Sequence, residues 1–179
     1  MFFRRTALSL LLLLPLSTAA MADSIATAGT DMAVALPVLA GGFAIYKDDW
    51  TGVVQLGVST AASVGTAYGL KHVIREERPN HEDNQSFPSD TTALAASGAS
   101  FLWARYGWTY GLPAFAVTGF VAYSRVESGA HRWYDTLAGA GISTGYAFIF
   151  DSPYREPRRF YSSLSATPDS AYLRVGYNF

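Results

Sequence analysis

Five stretches of this chain carry no formal charge: 33–46, 50–70, 91–104, 106–124 and 136–150. They run from 14 to 21 residues, lengths that suit helices better than strands. They are rich in Gly, Ala, Ser and Thr rather than in Leu. Glycines four residues apart recur, as Gly65 with Gly69, Gly107 with Gly111 and Gly141 with Gly145. On a helix such pairs share a face and permit close backbone approach, so the expectation is a tightly packed helical bundle. Charged residues gather between the stretches, above all in 71–90 and 125–135. In an antiparallel bundle the second helix ends where the first of these connections begins, and the fourth ends where the second begins. Both polar connections therefore fall at one end, where a single site can draw on both.

Composition narrows the choice of function. A chain of 179 residues suits one domain with a sizeable core. Half its residues are hydrophobic and 15% are charged, which excludes a disordered chain. A net charge of −1 and a pI near 6.3 give no broad basic footprint, so no nucleic-acid partner is expected. With no cysteine there is no disulfide framework, thiolate zinc site, iron–sulfur cluster or cysteine nucleophile. No metal site is expected; Asp48 and Asp49 only superficially resemble one and fall at the opposite end of the bundle. A mean hydropathy of +0.14 lies between a soluble protein and one that threads a bilayer repeatedly.

The two ends of the chain read differently. Residues 1–22 have the form of a secretory signal: Arg4 and Arg5, a short apolar run, then Ala20-Met21-Ala22 as a cleavage site. The helical domain is then 23–150. The tail, 151–179, opens with Glu156-Pro157-Arg158-Arg159 and continues as two short strands around Thr167-Pro168-Asp169-Ser170. The expected fold is all-α, a compact bundle of about five core helices with a short C-terminal β-hairpin.

The polar connections carry the chemistry. The first holds Lys71, six residues, Arg78-Pro79, and then Ser86-Phe87-Pro88-Ser89-Asp90-Thr91-Thr92. The second holds Ser124-Arg125, five residues, His131, three residues and Asp135. Arg offers phosphate a planar fork of donors, and Lys adds a point charge. Ser89 opens a helix whose free N–H groups favour an anion. His131 can attack or carry protons near neutral pH, and Asp135 is spaced to orient it. The combination predicts a phosphate site. Each residue also has a plainer structural reading: Ser89, Asp90 and Asp135 as helix caps, His72 as structural, and His81, Glu82 and Asp83 as a solvated loop. Trp103, Trp108 and Trp133 read as core or interface aromatics.

These blocks resemble those of the type 2 phosphatidic-acid phosphatase superfamily, which also contains the vanadium haloperoxidases. The family pattern Lys-x6-Arg-Pro is met by Lys71, Arg78 and Pro79, and Ser-Arg-x5-His-x3-Asp by Ser124, Arg125, His131 and Asp135. Its Pro-Ser-Gly-His block is met only by Pro88 and Ser89. The resemblance implies that Lys71, Arg78, Ser89 and Arg125 hold the phosphoryl oxygens, that His131 forms a phosphohistidine, and that Asp135 orients His131. It implies no metal and no cofactor, with vanadate able to bind as a phosphate analogue.

Where relatives place the histidine that protonates the leaving group, this chain has Thr91, preceded by Asp90. A general acid contributes about 10²–10⁴-fold in rate, and a threonine hydroxyl does not ionise usefully near neutral pH. Asp90 is a candidate acid only if its pKa is raised, and the nearby cations oppose that; His81, Glu82 and Asp83 in the same connection are the other candidates. Three functions follow. The first is a metal-independent phosphatase acting on a phospholipid, a polyprenyl phosphate or another envelope phosphomonoester or diphosphate. The second is a non-catalytic phosphate- or phospholipid-binding protein that has lost the acid. The third is a vanadate-dependent haloperoxidase. The expected location is the bacterial cell envelope, either the inner membrane with the site facing the periplasm or the periplasm itself.

Overall fold

The computed structural model describes residues 3–155 and 160–177. Five helices, α1 (Phe3–Tyr46), α2 (Trp50–Ile74), α3 (Asp90–Tyr106), α4 (Trp108–Glu127) and α5 (Trp133–Phe150), precede strands β1 (Phe160–Thr167) and β2 (Ser170–Tyr177). This is the predicted all-α bundle with its C-terminal hairpin. Helix α1 begins 30 residues earlier than the uncharged stretch at 33–46. That stretch excluded Asp23 and Asp31, and isolated charges on a helix face do not stop a helix.

Helix α3 is central and touches all four others. Small side chains make that possible. One core cluster is Ala33, Leu36, Ala95, Ala99, Ala114 and Val121; the other is Ala40, Ala44, Leu56 and Phe101. A Cβ at Gly98 would sit 2.7 Å from the Pro37 backbone nitrogen, so α1 and α3 meet there backbone to backbone. The glycine pairs singled out from spacing behave differently. Gly65, Gly69, Gly141 and Gly145 have open space where a Cβ would point, and Gly111 alone of those six packs tightly, against Trp103. Spacing reveals that two glycines share a face, but not which face is covered.

The bundle buries its small and polar residues and turns its large apolar ones outward. Buried positions of α2 are Gly52, Leu56, Ser59, Ser63, Ala67 and Lys71, whereas Val54, Val58 and Val73 are exposed. Leu39, Phe148 and Ile149 are each about 70% exposed (68%, 69% and 71%). Trp108 and Trp133 lie on the surface, and Trp103 is partly exposed against Phe115.

Helix starts are locally encoded. The Asp49 side chain accepts from Gly52 N at α2, and Ser89 from Thr92 N at α3. At α5, Asp135 reaches back to Arg132 N as the acidic half of a capping box. The two strands pair antiparallel, with Leu164 opposite Leu173 and Thr167 opposite Ser170. The hairpin makes no packing contact with the helices among the described residues.

Candidate active site

The loops 75–89 and 128–132 meet at one end of the bundle, as the chain direction predicts. Asn80 N donates to Gly129 O, and Ser89 N donates to Asp135 O at 3.0 Å. Gly139 secures the second junction, because a Cβ there would run into the Ser89 carbonyl. A one-atom change on α5 would therefore push α5 away from the start of α3.

Lys71 sits in the last turn of α2 and is only 2% exposed. A buried ammonium needs partners. Its Nζ donates to Gln85 O at 2.9 Å and pairs with Asp90 at 3.2 Å. Arg78 donates through Nε to Asp83 Oδ1 at 2.7 Å and through Nη1 to Ala130 O at 3.1 Å. Its Nη1 also lies 3.5 Å from His131 Nε2. Arg125 reaches the Ala26 carbonyl on α1, and Nε lies 3.3 Å from Ser124 Oγ. Ser89 is fully buried and exchanges a hydrogen bond with Thr92 at 3.0 Å.

His131 is 2% exposed and is held in the loop before α5. Its Nδ1 lies 2.7 Å from the Ser86 carbonyl. A carbonyl can only accept, so Nδ1 carries the proton and Nε2 keeps its lone pair, facing Arg78. Burial, then the charges of Lys71 and Arg78, push the imidazole down to about 4, so the ring is neutral at physiological pH. A neutral imidazole with a lone pair on Nε2, set among cationic side chains, can act chemically as a nucleophile or as a proton acceptor.

Asp135 is fully buried. Its Oδ2 accepts from Ser86 Oγ at 2.6 Å and from Arg132 N at 2.7 Å. It stands 3.8 Å from His131 Nδ1, beyond hydrogen-bond range. Both the capping role and proximity to His131 are thus present, but the imidazole proton goes to Ser86.

Lys71, Arg78, Ser89, Asp90, Arg125, His131 and Asp135 all lie at this end. Sequence reasoning passed over Ser86, and weighed Asp83 only as an alternative acid or a solvated loop residue, not as the partner of Arg78. Asp83 reads from sequence as a solvated loop residue, yet Arg78 holds its carboxyl below the usual carboxylate range. Its partner stands only five residues away, a signal hidden by the loop's general polarity. His72 bonds the Tyr68 carbonyl and His81 pairs with Glu77, so neither joins the cluster. Among the described residues no group of His, Asp and Glu is placed to hold a metal.

The family model described as the PAP2 superfamily matches residues 52–155, more than half of the chain and all of the site. The chain belongs to the PAP2 superfamily. It is accordingly a PAP2-type phosphatase, a phosphoric ester hydrolase. It is 30% identical over 158 residues to a lipid A 4'-phosphatase of Helicobacter pylori strain J99, covering 80% of this chain and 79% of the relative. Among solved structures it is similar to Aquifex aeolicus LpxE, with a TM-score of 0.52 and 21% identity over 67% of this chain and 83% of that one. A transmembrane PAP2 type phosphatidylglycerolphosphate phosphatase from Bacillus subtilis matches with a TM-score of 0.42 and 22% identity, over 80% and 92% of the two chains.

Proposed function

We propose that this PAP2 protein removes a phosphate from a membrane lipid, without a metal, by attack of His131 Nε2 on phosphorus. The observation that carries the reading is the buried imidazole whose Nδ1 faces the Ser86 carbonyl and whose Nε2 faces Arg78. Lys71, Arg78 and Arg125 supply the positive charge for the phosphoryl oxygens, with the Ser89 helix start beside them. In such transfers catalysis is mostly positioning and charge stabilisation. The phosphorus–oxygen bond to the leaving group breaks as the Nε2–phosphorus bond forms. Water then hydrolyses the phosphohistidine and restores the neutral ring.

The leaving-group side departs from the family pattern. Thr91 stands in place of the histidine. The Asp90 carboxylate faces Lys71 and also accepts from Thr91 N at 2.9 Å, so it serves the phosphate clamp and the helix start. Leaving groups that need little protonation, such as the phosphate of a diphosphate, suit this arrangement better than a sugar or glycerol alkoxide. The lipid A 4'-phosphatase relative makes a glycolipid phosphate the first monoester to test.

A membrane location is supported by the reversed distribution of side chains, since a water-facing bundle does not turn Leu, Ile and Phe outward on every side. Segment Asp23–Tyr46 of α1 is long and apolar enough to cross a bilayer, at a mean hydropathy of 1.5. Trp50, Trp108 and Trp133 at helix starts suit the two interfaces. On this reading the site faces the periplasm of a bacterial envelope. Removal of residues 1–22 as a signal would leave Ala26, the partner of Arg125, in place.

The test is phosphate release by the purified protein in chelator. Substrates are a lipid A-type monoester, phosphatidic acid and a polyprenyl diphosphate. Release from at least one, fastest from the diphosphate, is expected. Retained vanadate binding with no release from any of them would overturn the proposed reaction and favour a protein that only binds phosphate.

A further inference from the structure

Ser86 lies outside every motif of the site, yet it is fully buried and touches both members of the His–Asp pair. Its carbonyl takes the His131 Nδ1 proton at 2.7 Å, and its hydroxyl donates to Asp135 Oδ2 at 2.6 Å. The two side chains it joins stand 3.8 Å apart and share no hydrogen bond. The Ser86 amide is itself fixed by the Glu76 carbonyl at 2.8 Å, and Glu76 Oε1 accepts from Arg132 Nη1 at 2.8 Å. Ser86 is thus pinned at its amide, its carbonyl and its hydroxyl, which is unusual for a residue in a loop.

The carboxylate depends on this contact. Asp135 Oδ1 is buried without a hydrogen-bond partner among the described residues, so the anchoring passes through Oδ2 alone. There it has two donors, Ser86 Oγ and Arg132 N. Loss of the hydroxyl would leave a buried carboxylate with a single donor, an expensive state that the site would relieve by moving.

We propose that Ser86 is a positioning residue through which Asp135 acts on His131. The carboxylate holds the Ser86 hydroxyl, the pinned loop aims the Ser86 carbonyl, and the carbonyl fixes the tautomer and direction of the imidazole. The proposal rests on His131 being the nucleophile. It adds that the Asp135 effect is relayed, not made by direct contact.

The experiment compares Ser86→Ala, Ser86→Cys, Asp135→Ala and the double variant Ser86→Ala/Asp135→Ala in full-length protein. Cysteine keeps the volume while replacing a strong donor by a weak one, which covers the case in which alanine fails to fold. Turnover is measured together with nitrogen-15 chemical shifts of the His131 ring, assigned against His131→Ala. The wild type is expected to show a single Nδ1–H tautomer. Ser86→Ala or Ser86→Cys should add the Nε2–H tautomer and lower kcat by about 10- to 100-fold, with KM within about twofold. The double variant should be no slower than Asp135→Ala. An unchanged tautomer with wild-type kcat, or a loss of thermal stability with the tautomer unchanged, would overturn the relay. If the wild type releases no phosphate, the proposed reaction fails, while the ring tautomer still decides the role of Ser86.

Discussion

The bundle buries charge at both ends, and the two ends use it differently. At the end away from the site, Arg105 is 7% exposed and each of its three guanidinium nitrogens has a protein acceptor. Asp49 takes two of those donors and also accepts from Gly52 N and Tyr106 OH. Burial works against the Asp49 carboxylate, but the Arg105 and Tyr106 hydrogen bonds outweigh it and hold the group below its usual range. Neighbouring Asp151 has no such fork and is pushed up to about 6 by burial. At the site end Arg78 has protein acceptors on Nε and Nη1, and none on Nη2 among the described residues. Among the described residues His131 Nε2 has only the long Arg78 contact. Charge satisfied within the protein locks helices together, and charge left partly unsatisfied is what a substrate phosphate can complete.

Breaking each end should therefore have opposite signatures. His131→Ala should lower phosphate release at least about a thousandfold, since a covalent nucleophile has no substitute. The variant should still unfold cooperatively in urea and still bind orthophosphate, because Lys71, Arg78 and Arg125 are untouched. Activity equal to wild type would remove His131 from the mechanism. Asp49→Ala should instead cost about 3–5 kcal/mol of stability, because it strands the Arg105 guanidinium in the interior. Urea unfolding in detergent measures that loss, and the protein that remains folded should turn over normally.

Smaller changes sharpen the contrast. Thr91→His restores a proton donor to the leaving-group side and should raise kcat about a hundredfold on a monoester. The gain on a diphosphate should be much smaller, and equal gains on both would argue against a missing acid. The pH dependence of kcat/KM reports the free enzyme. Because burial and two cations lower His131 to about 4, protonation of the ring should cut kcat/KM only as the pH falls through that value. An acid limb near 6.5, the ordinary histidine value, seen with a substrate that does not titrate in that range, would mean the imidazole is solvated. The smallest effect is expected from the hairpin. A chain ending after Arg155 should keep kcat within about twofold, since among the described residues the strands pack on each other and not on the helices that carry the site.

Much of the site could be read along the chain because its blocks obey short spacings and because an antiparallel path brings alternate connections to one end. Lys71, Arg78 and His131 needed no tertiary information to be singled out. Ser86 and Asp83 did. Serine and aspartate are common in loops, and nothing in their local sequence separates a solvated residue from one buried against a motif. The glycine pairs failed for a related reason. Their spacing is a property of one helix, whereas coverage by a neighbour is a property of the bundle, so of the six only Gly111 is tightly covered, and close approaches such as those at Gly98 and Gly139 fall outside the pairs.

The sequence by itself determined that this chain is a helical bundle with its charged motif residues gathered at one end, because uncharged length and motif spacing are local quantities. The tertiary structure alone decided which carbonyl receives the His131 proton. That outcome depends on residues 45 positions apart meeting at 2.7 Å, a distance no spacing rule encodes.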